Sequence, residues 1–267
     1  VNGLFQDFQQ NVPSSARVGN LLLGGKDNYE IDRTVARQVS DRIVVAVCEA
    51  RRFLLRAVEH LSNEHDVHQY VDLGCGIPLP PDIGDIAGRN IEQARVLYLD
   101  NDPLVAAHAR ALLANTPNRH FAQLDITDTA TVLTEITAFL DPAEPIALCL
   151  SGTAELLVDP SRVLAELTNC MPATNWVILS HLTDDIFGDK IRRWAEDLTH
   201  HGIPYQPRDR ATVTAMLAPY QLLEPGLVSP HHWRPDLGSS QHQAFHPSKY
   251  DLSAYAAVGR RTDRGDT

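Results

Sequence analysis

The sequence lacks any run of about 18 apolar residues, the length that a membrane-spanning helix needs. Its first residues also lack the basic-then-apolar pattern of a secretory signal. A soluble, cytoplasmic protein is the expectation. Cysteine is scarce: Cys48, Cys75, Cys149 and Cys170 are scattered and form no C-x-x-C pair. That pattern reads as free thiols in a reducing compartment rather than a disulfide framework. Positive charge is short as well, 23 Lys and Arg against 34 Asp and Glu, for a net charge of −11. An acidic surface of this kind argues against nucleic-acid or anionic-membrane binding, and no basic cluster exceeds Arg51-Arg52 or Arg192-Arg193. Hydrophobic residues reach 43% of the 267, enough to bury the core of one large α/β domain.

Proline is missing between Pro13 and Pro78, which suits a helical start. Ser14 or Ser15 can cap a short helix through Leu23, ended by Gly24-Gly25. Val35, Val39, Ile43, Val47, Phe53, Leu54 and Leu61 recur at helical spacing, so 31–62 reads as one or two helices. Gly25-Lys26 is not a phosphate loop: Asp27 follows the lysine where Ser or Thr is needed, Asn20 stands where the earlier glycine belongs, and no strand precedes. Residues 1–66 therefore read as an N-terminal helical cap and lid, and 67–262 as the core.

From position 68 the period changes. Tyr70-Val71-Asp72-Leu73-Gly74-Cys75-Gly76 reads as a buried parallel strand over 69–73 ending in a tight turn that only glycines allow. Further strands are expected at 94–100, 119–124, 146–150 and 176–181, with two late ones near 220–224 and 255–260. Helices are expected at about 81–90, 102–115, 127–140, 160–170 and 184–200, and 225–250 reads as a long irregular segment. Alternating strands and helices give one doubly wound, mostly parallel α/β sheet.

Asp72, Asp100 and Asp125 fall at the ends of the first three strands, which such a fold brings to one crevice. An acidic residue ending the second strand, Asp100, can accept both hydroxyls of a ribose. Asp125, or the backbone of the adjacent Ile126, can meet an adenine amino group. Asp72 can order the glycine turn or meet an amine. Ser151, at the end of strand four, joins the same rim. A dinucleotide fingerprint needs a third glycine, but Gly74-Cys75-Gly76 continues as Ile77-Pro78-Leu79. Prolines there have no N–H to offer a pyrophosphate, which favours an adenosine cofactor without one.

Several segments, Pro13 to Asp32 with its Gly24-Gly25-Lys26-Asp27-Asn28 run, Asp72 to Pro78, Tyr98-Leu99-Asp100-Asn101-Asp102-Pro103, Leu223 to Val228 and Trp233-Arg234-Pro235-Asp236, resemble an actinobacterial S-adenosylmethionine-dependent methyltransferase family once classed as a domain of unknown function. The resemblance covers nearly all of 13–260. It implies a Rossmann-like, class I methyltransferase sheet of seven strands, the last antiparallel, with S-adenosyl-L-methionine as cofactor. It implies cofactor contacts at Asp72, Gly74, Gly76, Asp100 and Asn101, under an N-terminal loop that brings Arg17, Asp27 and Asn28 to the amino-acid end. Arg17 can take the carboxylate with its fork. The chain departs from the family pattern at Cys75, at Leu79-Pro80-Pro81-Asp82, and at Ser151-Gly152-Thr153-Ala154-Glu155 after strand four.

Methyl transfer needs positioning first and, for some acceptors, a base. His181 and Glu155 are the leading base candidates, followed by Asp27, His231 and His232. The histidines 231, 232, 242 and 246 lack a Cys or Glu at ligand spacing, so no metal is expected. No G-x-S-x-G is present for a serine hydrolase. The leading reading is a methyltransferase acting on a small molecule. A non-catalytic binder of the cofactor or its product and an NAD-dependent oxidoreductase are the alternatives.

Overall fold

A computed structural model describes residues 10–89, 91, 93–113, 116–171, 175–237 and 250–261. Ser14, in extended backbone, accepts the Arg17 N–H and starts α1 (Ser15–Leu22); Gly24, at φ +83°, helps turn the chain after it. The expected helix over 31–62 is two, α2 (Glu30–Ala36) and α3 (Asp41–Glu64). The inner face of α3, with Phe53, Leu54, Ala57, Val58 and Leu61, is buried against the sheet.

The first strand, β1 (Gln69–Leu73), has all five residues buried, as a central strand of a covered parallel sheet should. After it come α4 (Ile83–Ala87), β2 (Arg95–Asp100), α5 (Pro103–Leu112), β3 (Arg119–Gln123), α6 (Thr129–Phe139) and β4 (Ile146–Ser151). The chain ends with α7 (Pro160–Cys170), β5 (Trp176–Leu182), α8 (Gly188–His200), α9 (Arg210–Met216), β6 (Tyr220–Leu222) and β7 (Ala254–Arg261). The seven-stranded sheet runs β3-β2-β1-β4-β5-β7-β6. Strands β1 to β5 are mutually parallel; β7 is antiparallel to both β5 and β6. One apolar cluster lies on the face covered by α3, α4 and α5, another under α6, α7 and α9. A third joins Val18, Leu22, Val35 and Ile43 of the N-terminal helices to Ile191, Trp194 and Leu198 of α8.

Strand order reverses between β1 and β4, which opens a crevice at their carboxyl ends. Three local differences from the expected elements have physical causes. Helix α8 starts at Gly188, not 184, because Phe187 sits at φ +53° and interrupts the helical backbone. Helix α4 spans five residues; Asp82 caps it, so the proline-rich stretch before it stays outside. Helix α9 was not anticipated: Asp209 caps it through the Thr212 N–H, and only Val213 and Met216 of its residues are buried. His242 and His246 lie outside the described residues. Among the described residues no helix is long and apolar enough to cross a membrane.

Candidate active site

A cavity of about 670 Å³ opens at the carboxyl ends of β1, β2, β4 and β5, beneath α1 and α3. Its size lies in the range of small-molecule sites, about 300–1,000 Å³. Asp72, Gly74, Asp100, Asn101, Asp125, Ile126, Ser151, Glu155 and His181 all line it. Arg17, Asp27, Asn28 and Gly76 do not.

The glycine turn forms the floor. Gly74 has φ +78°, and a Cβ placed there would lie 2.5 Å from Thr153 Cγ2. Only glycine therefore fits, for backbone and for space. The Gly74 and Cys75 N–H groups both donate to the Leu99 carbonyl, at 2.8 and 3.0 Å. The Gly76 N–H donates to Asp100 Oδ2 at 2.9 Å. The turn thus hangs from β2 by all three of its amides.

Asp100 has more structural work than its position suggested. Besides Gly76 it holds the start of α5, accepting the Asp102 N–H on Oδ1 at 3.0 Å. One further acceptor direction remains on each oxygen, so the pair still matches two vicinal hydroxyls. Burial raises this carboxyl above its usual range, with the backbone N–H bonds opposing. Asp102 caps α5 through the Leu104 N–H and also accepts the Ser14 hydroxyl.

Asp72, one residue before the end of β1, is buried. Burial pushes its pKa up to about 7, opposed by Arg51 and reinforced by Asp82 and Asp100. Arg51, on α3, also lines the cavity; one of its nitrogens is anchored by the Leu79 and Pro81 carbonyls at 3.0 and 2.9 Å. At the far end Asp125 is exposed and accepts both the N–H and the hydroxyl of Thr127, beside the buried Ile126. On the β4–β5 side the hydroxyls of Ser151 and Ser180 are 3.0 Å apart.

The covering element differs from the one expected. Arg17 is buried in an ion pair with Asp32, Nε to Oδ2 2.8 Å, and also donates to the Val12 carbonyl. Asp32 further accepts the Ser14 and Tyr29 N–H groups, so this arginine braces the lid. Asp27 is exposed, and Asn28 is folded onto its own loop, bonding the Gly25 carbonyl and the Arg33 guanidinium. It is α1 itself, through Ser14, Ser15, Ala16, Val18, Gly19, Leu22 and Leu23, that roofs the cavity. The cation facing it is Arg51, which sequence reasoning had noted only as half of a basic pair. Its place one turn before the buried Phe53–Leu54 pair on α3 was the available signal.

The β4–β5 half is mostly apolar, with Leu156, Trp194, Leu198, Ile203 and Tyr205. His181 is buried with both ring nitrogens engaged, Nδ1 at 2.6 Å from the Leu182 carbonyl and Nε2 at 3.2 Å from Arg208. A guanidinium only donates, so Nε2 accepts and Nδ1 carries the hydrogen, a tautomer assigned from the network. His181 has no lone pair left for a substrate proton, which removes it as the base. Glu155 is different. Its Oε1 accepts the Leu182 N–H at 2.6 Å, while Oε2 is buried with no hydrogen-bond partner among the described residues. The Tyr205 phenol faces this carboxylate; burial, the Glu155 charge and a hydrogen bond to Glu155 push the phenol well up. His231 and His232 lie elsewhere: His231 meets the Ser229 hydroxyl, and His232 pairs with Asp251 at 3.1 Å.

This donor set suits adenosine without a pyrophosphate. Asp100 offers paired acceptors, the glycine turn allows close approach, and Asp72 and Arg51 offer opposite charges for an amino acid. A pyrophosphate would find no free N–H on Gly74, Cys75 or Gly76. It would meet the Asp100 carboxylate there instead, and α4 starts only at Ile83.

The S-adenosyl methyltransferase family matches residues 3–262. A crystal structure of a DUF574 family protein from Streptomyces avermitilis superposes with TM-score 0.87 at 28% identity, over 96% of this chain and 100% of that one. A putative methyltransferase from Thermobifida fusca gives TM-score 0.86 at 27% identity, over 96% and 97%. The plantazolicin methyltransferase BpumL, solved with SAH, shares the fold at TM-score 0.55 and 12% identity, over 93% and 96%. No curated protein matches the sequence. A family match across almost the whole chain, with two solved structures that superpose over nearly its full length, shows that this protein belongs to the S-adenosyl methyltransferase family and is an S-adenosylmethionine-dependent methyltransferase of class I fold.

Proposed function

We propose that this protein transfers a methyl group to a small molecule held between the glycine turn and α8. The observation that carries the reading is the continuity of the cavity: Asp100 and Gly74 line one end, and Glu155, Trp194 and Ile203 line the other. Asp100 receives the ribose hydroxyls, and Asp125 with the Ile126 backbone receives the adenine. Asn101, Ser151 and the open face of Gly74 complete the cofactor's bed, while Gly76 acts only by fixing Asp100. Asp72 takes the amino group and Arg51 the carboxylate; Arg17 contributes by holding the lid. Glu155 orients the acceptor and takes a proton where one must leave.

The cofactor supplies an electrophilic methyl on a sulfonium. The protein's contribution is to hold the acceptor atom in line and to exclude water beneath α1; positioning of this kind is worth about 7–11 kcal/mol in favourable cases. The net charge of −11 speaks against a nucleic-acid acceptor. With cysteines all free, the cytoplasm is the compartment we assign. The test is titration with S-adenosylhomocysteine and, separately, NAD, followed by an acceptor screen with methyl-labelled cofactor. Binding of S-adenosylhomocysteine without NAD and label transfer to a small molecule are the expected results. Equal binding of NAD, or transfer only to a nucleic acid, would overturn the reading.

A further inference from the structure

Two of the buried polar atoms without a partner among the described residues belong to the wall of the cavity: Glu155 Oε2 and the indole Nε1 of Trp194. Trp194 packs on Tyr205 with ring centres 5.0 Å apart. Glu155 is 1% exposed, its Oε1 is fixed by Leu182 and the Tyr205 phenol meets the carboxylate, so it is held rigidly while Oε2 has no partner among the described residues. Arg208 is the neighbouring cation, but its donors go to His181 Nε2, to the carbonyls of Ala154, Leu157, Val158 and Gln206, and to the Gln206 side chain. A buried charged acceptor left without a donor is costly. A ligand that brings the donor recovers that cost.

Charge narrows the choice of donor. Apart from Asp72, which burial pushes toward its neutral form, the cavity wall carries the carboxylates of Asp100, Asp102, Asp125 and Glu155 against the guanidinium of Arg51. S-adenosylmethionine has one net positive charge, so the wall stays anionic after the cofactor binds. Tyr205, which faces Glu155, and Trp194, packed on it, add a surface on which a cation is favoured.

We propose that the acceptor is a small amine, carried in as its ammonium, whose nitrogen docks on Glu155 Oε2 while its apolar body rests on Trp194, Leu198 and Ile203. This rests on the cavity being the methyl-transfer site. The ammonium gives one proton to Oε2, which frees the nitrogen lone pair. That pair forms the new N–C bond to the methyl as the S–C bond breaks, and the bonding electrons stay on sulfur. The products are the methylated ammonium and S-adenosylhomocysteine; Glu155 then returns its proton to solvent. His181 takes no part, since Arg208 occupies its lone pair.

The experiment is calorimetric titration of the full chain, first with S-adenosylhomocysteine and then, in that complex, with phenethylamine, 2-phenylethanol and 3-phenylpropionate. Glu155→Gln is the matched variant, because its amide oxygen keeps the Leu182 bond. The amine is expected to bind at least about tenfold more tightly than the alcohol, with the acid weakest. Glu155→Gln is expected to weaken the amine on the order of 10- to 100-fold, to leave the alcohol and S-adenosylhomocysteine affinity unchanged, and to melt at or above the wild-type temperature. An alcohol or acid that binds as well as the amine, an undiminished amine preference in Glu155→Gln, or no amine binding overturns the proposal. A wild-type chain that fails to bind S-adenosylhomocysteine in the first titration overturns the cavity assignment itself, a separate result.

Discussion

At the β1–β2 end of the cavity every amide of Gly74, Cys75 and Gly76 has a protein acceptor, whereas at the β4–β5 end Glu155 Oε2 and Trp194 Nε1 have none among the described residues. The first end is complete before any ligand arrives. Its carboxylate is pinned by two backbone donors and its turn by β2, so little ordering remains to be done on binding. The second end is held just as firmly by its backbone bonds but leaves polar atoms for a ligand to satisfy. Substitutions at the first end should therefore move stability and cofactor affinity together. Those at the second should move acceptor binding alone.

The largest test of that contrast is Gly74→Ala. The left-handed backbone costs about 1–3 kcal/mol for a side chain, and the 2.5 Å approach to Thr153 adds overpacking of about 1–3 kcal/mol. Denaturant unfolding is expected to show the sum, and S-adenosylhomocysteine affinity should fall in parallel. Adding Thr153→Ala should recover only the steric part. If Gly74→Ala unfolds at the wild-type midpoint, the turn is not the rigid floor described.

Asp72 gives the next effect, and its sign is specific. Its folded pKa, about 7, lies above the unfolded value near 3.9. The folded state therefore binds the extra proton between these values, and stability falls as pH rises from about 4 to 7. Its contribution is whole below about pH 4 and lost above about pH 7. Asp72→Asn should flatten that slope by roughly 2–4 kcal/mol across the window. Thermal or denaturant stability from pH 4 to 8 checks it. A wild type and variant with parallel profiles would show that Asp72 does not titrate there.

Asp100→Asn should cost about 1.5–3 kcal/mol of cofactor affinity, close to ten- to a hundredfold by titration. It should also lower the melting temperature, because the new amide places a donor against either the Gly76 or the Asp102 N–H. Loss of affinity without loss of stability would mean that the two backbone bonds are dispensable. At the bottom of the scale, Trp194→Phe deletes an indole N–H with no partner among the described residues. Because Trp194 belongs to the third apolar cluster, the smaller ring should lower stability by about 1 kcal/mol and leave S-adenosylhomocysteine affinity alone, while altering acceptor binding.

The β1–β2 end was far more legible in the sequence than its counterpart, for a physical reason. Strand β1 was found at its observed bounds, and the two stretches that build this end, the glycine turn and the end of β2 with Asp100 and Asp102, are each short and patterned, although the turn bonds across to Leu99 and Asp100. The roles of Arg17, His181 and Arg51 depend on pairings that no local pattern records. Arg17 closes on Asp32, fifteen residues on, and His181 on Arg208, twenty-seven on. Arg51 reaches the cavity only because α3 crosses the sheet. Helix α9 was unreadable because only Val213 and Met216 mark its inner face, against polar and small residues. Glu155 was singled out from its place after β4, yet what distinguishes it from His181, an oxygen without a donor, is visible only in three dimensions.

The way β2 carries the turn also sets where this chain can change length. Successive residues of a strand face opposite sides, so one residue inserted between Val96 and Leu99 would turn Asp100 away from the crevice. The same slip would take the Leu99 carbonyl from beneath Gly74 and Cys75. The stretches from α5 to β3 and from α6 to β4 lead into the amino ends of strands, opposite the cavity. Insertions there should pass without effect on the cofactor. Relatives of this protein are thus free to grow at one edge of the sheet and bound to a fixed count at the other.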